Sequence, residues 1–200
     1  MERLKFFNFF LLCVCLFISI HSQDLRPLDV IKQSNQKVLD IFKVQKTLDE
    51  KTEARLLEII NGVTDFEAIS HAVIERFCQE LSESQCQTFD GLFQQLLQVS
   101  SLKKLGRYRA NRFEYLGEEA NENQAIVKTI AYFKDESAEL NYYMKLKNGR
   151  WMIVNYVVDD IDTIRNYKKQ FLRLFAKKSF EQIMDRLRKK IADYEEKNRQ

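Results

Sequence analysis

Few side chains in this sequence could act as a nucleophile, a general base or a soft metal ligand. Beyond residue 22, the only histidine and cysteines are His71, Cys78 and Cys86. His71 and Cys78 lie on one predicted helix, and their spacing separates them by about 10 Å along its axis. A nucleophile and its base must approach to about 3 Å, and a four-ligand Cys/His zinc site needs a further ligand. These residues therefore predict neither a catalytic dyad nor a zinc site.

Two clusters of carboxylates are the remaining candidates for chemistry. The stretch Asp-Asp-Ile-Asp at 159–162 could hold a divalent cation through its oxygens. We favour a strand end, a turn and a helix N-cap, because aspartate suits both of the last two positions. The acidic stretch 117–123 is predicted to be a solvated hairpin tip that carries Glu118, Glu119 and Glu122. The chain also lacks a phosphate-binding loop and the G-x-S-x-G motif that carries the nucleophile of many serine hydrolases. We therefore predict that it is not an enzyme.

The first 22 residues have the pattern of a secretory signal peptide. Arg3 and Lys5 precede an apolar run from Phe6 to Ile20, and polar residues follow from His21. The run is shorter than the roughly 20 residues that a membrane-spanning helix needs, which favours cleavage near Ser22 over a permanent anchor. We assign 1–22 to the signal peptide and 23–200 to a single domain.

Export limits both the cysteine chemistry and the partners. In an oxidising compartment Cys78 and Cys86 could form a disulfide, although two small buried thiols would explain the pair as well. Ten basic residues stand against two acidic ones between positions 165 and 190. Export makes nucleic acid an unsuitable partner, so this face is either merely solvated or docks on an acidic protein or an anionic membrane. The predicted docking residues are Lys168, Lys169, Lys177, Lys178, Arg186, Arg188, Lys189 and Lys190.

Hydrophobic periodicity divides the chain into helices, then strands, then helices. Helices are predicted near 29–42, 52–60, 65–81 and 85–100. Alternating residues predict strands near 113–116, 124–134, 138–147 and 150–159, and two helices follow near 162–177 and 179–194. The fold class is α+β, with about four antiparallel strands covered by the N- and C-terminal helices. We expect all helices to cover this one sheet.

Local signals fix several boundaries of these elements. Asn148-Gly149 predicts a two-residue hairpin, because a type I′ turn needs positive φ at both central residues. Asp65 and Asp162 are placed to cap the helices that follow them. Ser-x-x-Gln at 82–85 and again at 179–182 is a capping-box pattern.

Several short stretches together resemble one known family. The longest match is Trp-Met-Ile-Val-Asn at 151–155, Val-Val-Asp-Asp-Ile at 157–161 and Asn-Tyr-x-x-x-Phe at 166–171. Thr-Asp-Phe at 64–66, Phe-x-x-Leu-Phe-x-x-Leu-Leu at 89–97 and Ser179-Phe180 add to it. From about Val30 to Lys190 the chain resembles the MlaC-type periplasmic phospholipid-binding proteins, also called the toluene-tolerance auxiliary family. It departs from the family at Asn155, where an Asp is usual, and at 160–162, where Gly-Val-Ser is usual.

The resemblance implies a carrier that holds a phospholipid by its tails inside an apolar cavity. Such carriers move lipid through the periplasm between an outer-membrane lipoprotein complex and an inner-membrane ABC lipid transporter complex, which maintains outer-membrane lipid asymmetry. It implies a monomer with no cofactor, bound phospholipid being the cargo. Two other functions stay open: a pocket-containing enzyme of the ketosteroid-isomerase type built on Tyr142 or Tyr156, and an exported module that binds a non-lipid partner.

The predicted cavity lies between the sheet and the helices. Leu140, Tyr142 and Met144 alternate with polar residues, which puts them on one face of their strand. Ile153 and Val157 are predicted to share the adjoining face of the next strand. Helices would supply the opposing wall of the lipid-binding site through Phe77, Phe93 and Phe171. For each of these residues, a solid core is the alternative to a cavity lining.

Overall fold

The structure is a computed structural model that describes residues 25–45 and 47–197. The predicted signal peptide lies outside the described residues. Four helices come first: α1 (Pro27–Val44), α2 (Glu50–Val63), α3 (Phe66–Cys78) and α4 (Glu83–Tyr108). Five strands follow: β1 (Arg112–Ala120), β2 (Gln124–Tyr132), β3 (Ser137–Lys147), β4 (Arg150–Val158) and β5 (Ile161–Asp162). Helices α5 (Thr163–Phe175) and α6 (Phe180–Lys197) complete the described chain.

The strands form one antiparallel sheet in the order in which they occur along the chain. The predicted α+β class is confirmed, and the short β5 makes the sheet five-stranded instead of about four-stranded. β3 and β4 are joined by Asn148 and Gly149, whose φ angles of 53° and 73° give the predicted turn with positive φ at both positions. A meander of this kind leaves one broad face for helices to cover.

The predicted caps begin the helices at the expected residues. The side chain of Asp65 accepts a hydrogen bond of 2.9 Å from the Ala68 N–H, and that of Asp162 accepts one of 2.8 Å from the Arg165 N–H. Both capping boxes are present, at 82–85 and at 179–182. Asp162 is therefore both the last residue of β5 and the N-cap of α5. Because no loop separates the two elements, α5 packs directly against β4.

A bulge in β1 corrects one prediction from the sequence. The register with β2 shifts between Tyr115 and Gly117, and Gly117 has a φ of 140° that glycine adopts at least cost. The strand therefore continues to Ala120, and 117–120 is not part of a turn. Glu118 is not at a solvated tip: its side chain is only 19% exposed and reaches the start of α1.

A second bulge changes which residues of β4 face the helices. Tyr143 pairs with Asn155, but Met144 pairs with Ile153, so Val154 has no partner of its own on β3. Beyond this point the alternation along β4 is shifted by one residue. Ile153 therefore lies on the same face as Tyr156, whereas Val157 lies on the opposite face. The prediction that Ile153 and Val157 share a face is wrong.

The edge of β4 is attached to the corner between α2 and α3. Thr64 forms a parallel bridge with Ile153, and the Asp65 N–H donates to the Ile153 carbonyl at 2.9 Å. The Asp65 carboxylate also accepts a hydrogen bond of 2.7 Å from Lys147 Nζ, and Arg150 donates to the Gly62 carbonyl. These contacts hold the N-terminal helices against one end of the sheet.

The largest packed core lies among the helices rather than on the sheet. It is centred on rings from α3, α4 and α5: the ring centroid of Phe89 lies 4.8 Å from that of Phe171, and the Phe93 ring lies 5.0 Å from the same ring. Helix α6 adds buried Ile183 and Met184 and packs mainly on α4 and α5. The expectation that every helix covers the sheet is therefore wrong for α6, which packs mainly on other helices, whereas α3 and α5 also contact β4.

A disulfide joins Cys78 at the end of α3 to Cys86 in the first turns of α4. This resolves the alternative between a bond and two free thiols in favour of the bond. Within the described ranges, no helix is long and apolar enough to cross a membrane.

Candidate functional site

A cavity of about 710 Å³ lies between the sheet and the helices. One wall is the inner face of β1 to β4, which contributes Phe113, Ala131, Leu140, Tyr142, Ile153, Tyr156 and Val158. The other wall comes from α1, α2, α4 and α5, including Val38, Ile60, Leu105 and Tyr167. Its size falls within the range of pockets that hold small molecules, and most of its lining is apolar.

Three of the predicted lipid-binding residues line this cavity: Leu140, Tyr142 and Ile153. The structure places the other five elsewhere. Phe77, Phe93 and Phe171 are buried in the helical core. Met144 is 1% exposed and packs with Ile31 and Val127 beneath α1. Val157 lies on the outer face of the sheet, next to Asn141.

Several cavity residues were missed by reasoning from the sequence. Val158 faces inward because of the bulge in β4, which strict alternation does not anticipate, and so does Tyr156, which the sequence suggested only as a residue of an enzyme pocket. Phe113 and Ala131 are cross-strand partners whose inward position could have been found from the alternation of β1 and β2. A single sequence does not show which residues of α1 and α2 line the cavity, because that depends on where those helices pack.

A partly buried chain of polar side chains meets the cavity at Asn35 and Tyr142. Tyr142 Oη donates a hydrogen bond of 3.3 Å to Asn35 Oδ1, and Asn35 Nδ2 donates one of 3.5 Å to Tyr115 Oη. Burial raises the pKa of both Tyr142 and Tyr115, so both hydroxyls stay neutral across the physiological range. The chain links α1 to β1 and β3, and its hydroxyls are engaged in positioning α1.

A second group of tyrosines lies between α4, α5 and β4. Burial raises the pKa of Tyr156 and of Tyr167, and both side chains line the cavity. The hydroxyl of Thr163 neighbours Tyr156, and Lys104 Nζ lies 5.7 Å from the centroid of the Tyr156 ring. This wall therefore offers neutral hydroxyl donors beside an ammonium group.

The mouth of the cavity combines exposed apolar side chains with charges. Tyr108 and Ile161 line it and are 49% and 59% exposed. The Tyr108 ring lies 5.9 Å from that of Phe133, another lining residue. Its cationic lining residues are Lys104, Arg109 and Lys190, and its acidic ones are Glu136 and Asp159.

A separate groove of about 1020 Å³ runs between α1, α2 and the turn that joins β3 to β4. Its rim carries charges of both signs, including Lys37, Glu58 and Arg150. Ser34, Ile59 and Val63 line both this groove and the cavity and so form the partition between them. We assign the candidate site to the cavity, because it is backed by the sheet and has the larger apolar share of its lining.

The predicted docking residues lie on α5, α6 and the connection between them. Seven are exposed, and Lys178 is half-buried. Only Lys190 among them lines the mouth of the cavity, and it also borders a groove between α5 and α6 with Arg186 and Lys189. Whether these residues contact a partner stays a prediction.

The cavity can enclose an apolar ligand, and its polar groups suit hydrogen bonding. Among the described residues, no group of three or more His, Cys, Asp or Glu side chains is arranged to hold a metal ion. At 159–162, Asp159 and Asp160 have φ angles of 46° and 63°, and Asp159 accepts a hydrogen bond of 2.9 Å from the Glu139 N–H. The preferred interpretation of this stretch, as a turn followed by an N-cap, is confirmed.

A family model described as MlaC protein matches residues 32–189. No curated protein matches the sequence. One matching solved structure is a phospholipid-binding protein from Ralstonia solanacearum in complex with a phospholipid. The two share 18% sequence identity and a TM-score of 0.70, over 84% of this chain and 97% of that chain. At this identity the match shows a common fold.

Proposed function

The chain belongs to the MlaC family, and we propose that it is a periplasmic phospholipid carrier. It holds the acyl chains of one lipid in the cavity between sheet and helices, with the head group at the mouth. The family match and the phospholipid bound by the Ralstonia solanacearum protein of the same fold support the proposal.

The cavity is the single observation that carries this proposal. Its volume of about 710 Å³ is lined mainly by apolar side chains, and its mouth reaches solvent. Burial of one methylene contributes about 0.8 kcal/mol, so a chain of about 16 carbons gains on the order of 10 kcal/mol. Such binding needs no base and no metal, and the lipid can be taken up and released without the breaking of a covalent bond.

In the cell, the carrier receives and delivers lipid by docking on membrane-bound partners. We assign these to an outer-membrane lipoprotein complex and an inner-membrane ABC lipid transporter complex, whose traffic maintains outer-membrane lipid asymmetry. The basic face of α5 and α6 is the proposed docking surface. Contacts between charges act over about 10 Å at 0.1 M salt, so association with the transporter weakens steeply as the salt concentration rises.

Extraction of the purified protein tests the proposed function directly. Protein from the periplasm is extracted with organic solvent, and the extract is analysed by mass spectrometry for phospholipid. About one phospholipid per protein is the expected result. Delipidated protein should also take labelled phospholipid from donor vesicles and deliver it to acceptor vesicles. Protein that carries no lipid and accelerates no transfer would contradict the proposal and favour a non-lipid interaction module.

A further inference from the structure

Two lysines line the cavity without an acidic partner. Lys104 projects from α4 and Lys190 from α6, and both border the cavity at its mouth. In the described ranges, neither ammonium group has a carboxylate oxygen within 4.0 Å, although other surface lysines such as Lys128 and Lys147 do. Two unneutralised cations beside an apolar cavity favour an anionic group at that position.

Aromatic rings hold both lysines near their positions. Lys104 Nζ lies 5.7 Å from the centroid of the Tyr156 ring, and Lys190 Nζ lies 5.9 Å from that of Tyr194. Lys103 Nζ lies 4.3 Å from the same Tyr194 ring, which adds a third positive charge between α4 and α6. A cation over an aromatic face is weakly attracted to it, and such a contact leaves the positive charge of the lysine unneutralised.

Neutral hydroxyls stand beside these cations. Tyr167 and Tyr156 line the cavity, and burial raises the pKa of both, which keeps their hydroxyls protonated. Tyr167 is close enough to Lys104 for the two to interact electrostatically. A phosphate oxygen at this point could therefore accept hydrogen bonds from a hydroxyl and from an ammonium group.

The acidic side chains of the mouth come from the strand side. They are Glu136, which precedes β3, and Asp159, which follows β4. The Asp159 carboxylate already accepts a hydrogen bond of 2.9 Å from the backbone of Glu139. The cationic groups come from α4, the segment after it, and α6, so positive charge faces negative charge across the mouth.

From these observations we infer that Lys104, Lys190 and the Tyr167 hydroxyl form a subsite for the phosphate of the bound lipid. The inference rests on the proposed function, because the subsite would bind the polar end of the same lipid whose acyl chains occupy the cavity. The acyl chains then extend toward Tyr142, and the phosphodiester lies between α4 and α6. The subsite recognises phosphate itself, and any head group attached to it projects from the mouth toward solvent.

The test compares two lipids that differ only in the phosphate-bearing head group. Delipidated protein is equilibrated with vesicles that contain either phosphatidylglycerol or diacylglycerol with the same acyl chains, and bound lipid is counted by mass spectrometry. The variants are Lys104→Met, Lys190→Met and the double variant, because methionine keeps an unbranched apolar stem without the charge. Lys51→Met is the control, since Lys51 is exposed on α2 and lines neither cavity nor groove.

Each single variant should weaken loading of phosphatidylglycerol about threefold, and the pair about tenfold, because exposed charge contacts are individually modest. Loading of diacylglycerol should not change in any variant, and the control should load both lipids like the unchanged protein. Equal loading of phosphatidylglycerol by the double variant and the unchanged protein would overturn the subsite. An equal loss of both lipids in the double variant would also overturn it, since the lysines would then act on the cavity and not on phosphate. Failure of the unchanged protein to load either lipid would instead refute the proposed function.

Discussion

Glu118 on β1 accepts a hydrogen bond of 2.8 Å from the backbone N–H of Leu28, in the first turn of α1. The same carboxylate lies 3.9 Å from the guanidinium group of Arg26. A carboxylate at this position satisfies one of the unpaired N–H groups of the helix and complements the positive end of its dipole. Helix α1 has no side-chain cap of its own from Arg26, so a residue from the bulged strand supplies this contact and ties α1 to the sheet.

Replacement of Glu118 should therefore loosen α1. We expect Glu118→Ala to lower the free energy of unfolding by about 1 kcal/mol, the usual value of a lost helix cap with its charge. The measurement is urea denaturation followed by circular dichroism. Glu119→Ala is the matched control, because Glu119 forms an exposed ion pair with Lys128 and its loss should cost less than about 1 kcal/mol. Equal effects of the two substitutions would show that Glu118 does not hold α1.

The sequence predicted the elements of the fold well because their signals are local. Asp65, Asp162 and the Asn148-Gly149 turn act within a few residues, and each does in the structure what its type predicts. The bulges are different, since each depends on pairing with another strand. A single unpaired residue in β4 exchanged the faces of Val157 and Tyr156, and strict alternation could not anticipate it.

The lining of the cavity was predicted only in part, because local patterns show which residues share a face but not what that face packs against. Leu140 and Tyr142 were correctly placed on one face of β3, and the structure puts both at the cavity. The aromatic residues Phe77, Phe93 and Phe171 were expected to line the cavity opposite the sheet, but their rings pack against one another in the core between α3, α4 and α5. Apolar spacing shows that a helix face is buried, and it does not show whether that face meets a sheet, a cavity or another helix.

A larger side chain at Leu140 should block the cavity without disturbing the fold. Leu140 is half-buried and lines the empty space. We expect Leu140→Trp to reduce the phospholipid that co-purifies with the protein. Because the added rings enter free volume, the free energy of unfolding of the delipidated protein should change by less than about 1 kcal/mol, below the usual cost of overpacking. Val157→Trp, on the outer face of β4, should retain its lipid. A Leu140→Trp protein with a full complement of lipid would show that acyl chains do not pass this residue.

Met144 provides the contrasting case on the same strand. It is 1% exposed among Ile31, Val127 and Ile153, and it lies outside the cavity lining. A carboxylate there would be buried without a partner, so Met144→Glu should cost about 3–5 kcal/mol and leave much of the protein unfolded. The neighbouring Lys145→Glu, which is exposed, should fold normally. Thermal denaturation of the two variants is the measurement. A stable Met144→Glu protein that has lost its lipid would instead place Met144 in the cavity.

Ionisation of Tyr142 should make the fold sensitive to alkaline pH. Burial raises the folded-state pKa of this hydroxyl above its usual value of about 10. Between the unfolded and folded pKa values, the folded protein binds the extra proton, so stability is retained below about pH 10 and falls as the pH rises beyond it. The slope should approach about 1.4 kcal/mol per pH unit for one such group.

Urea denaturation at several pH values above 9 should give a shallower decline for Tyr142→Phe than for the unchanged protein. Tyr143→Phe is the matched control, because Tyr143 is 37% exposed on the opposite face of β3 and should leave the decline as steep as before. Identical declines for the unchanged protein and Tyr142→Phe would mean that Tyr142 reaches solvent or ionises at little cost in the folded state.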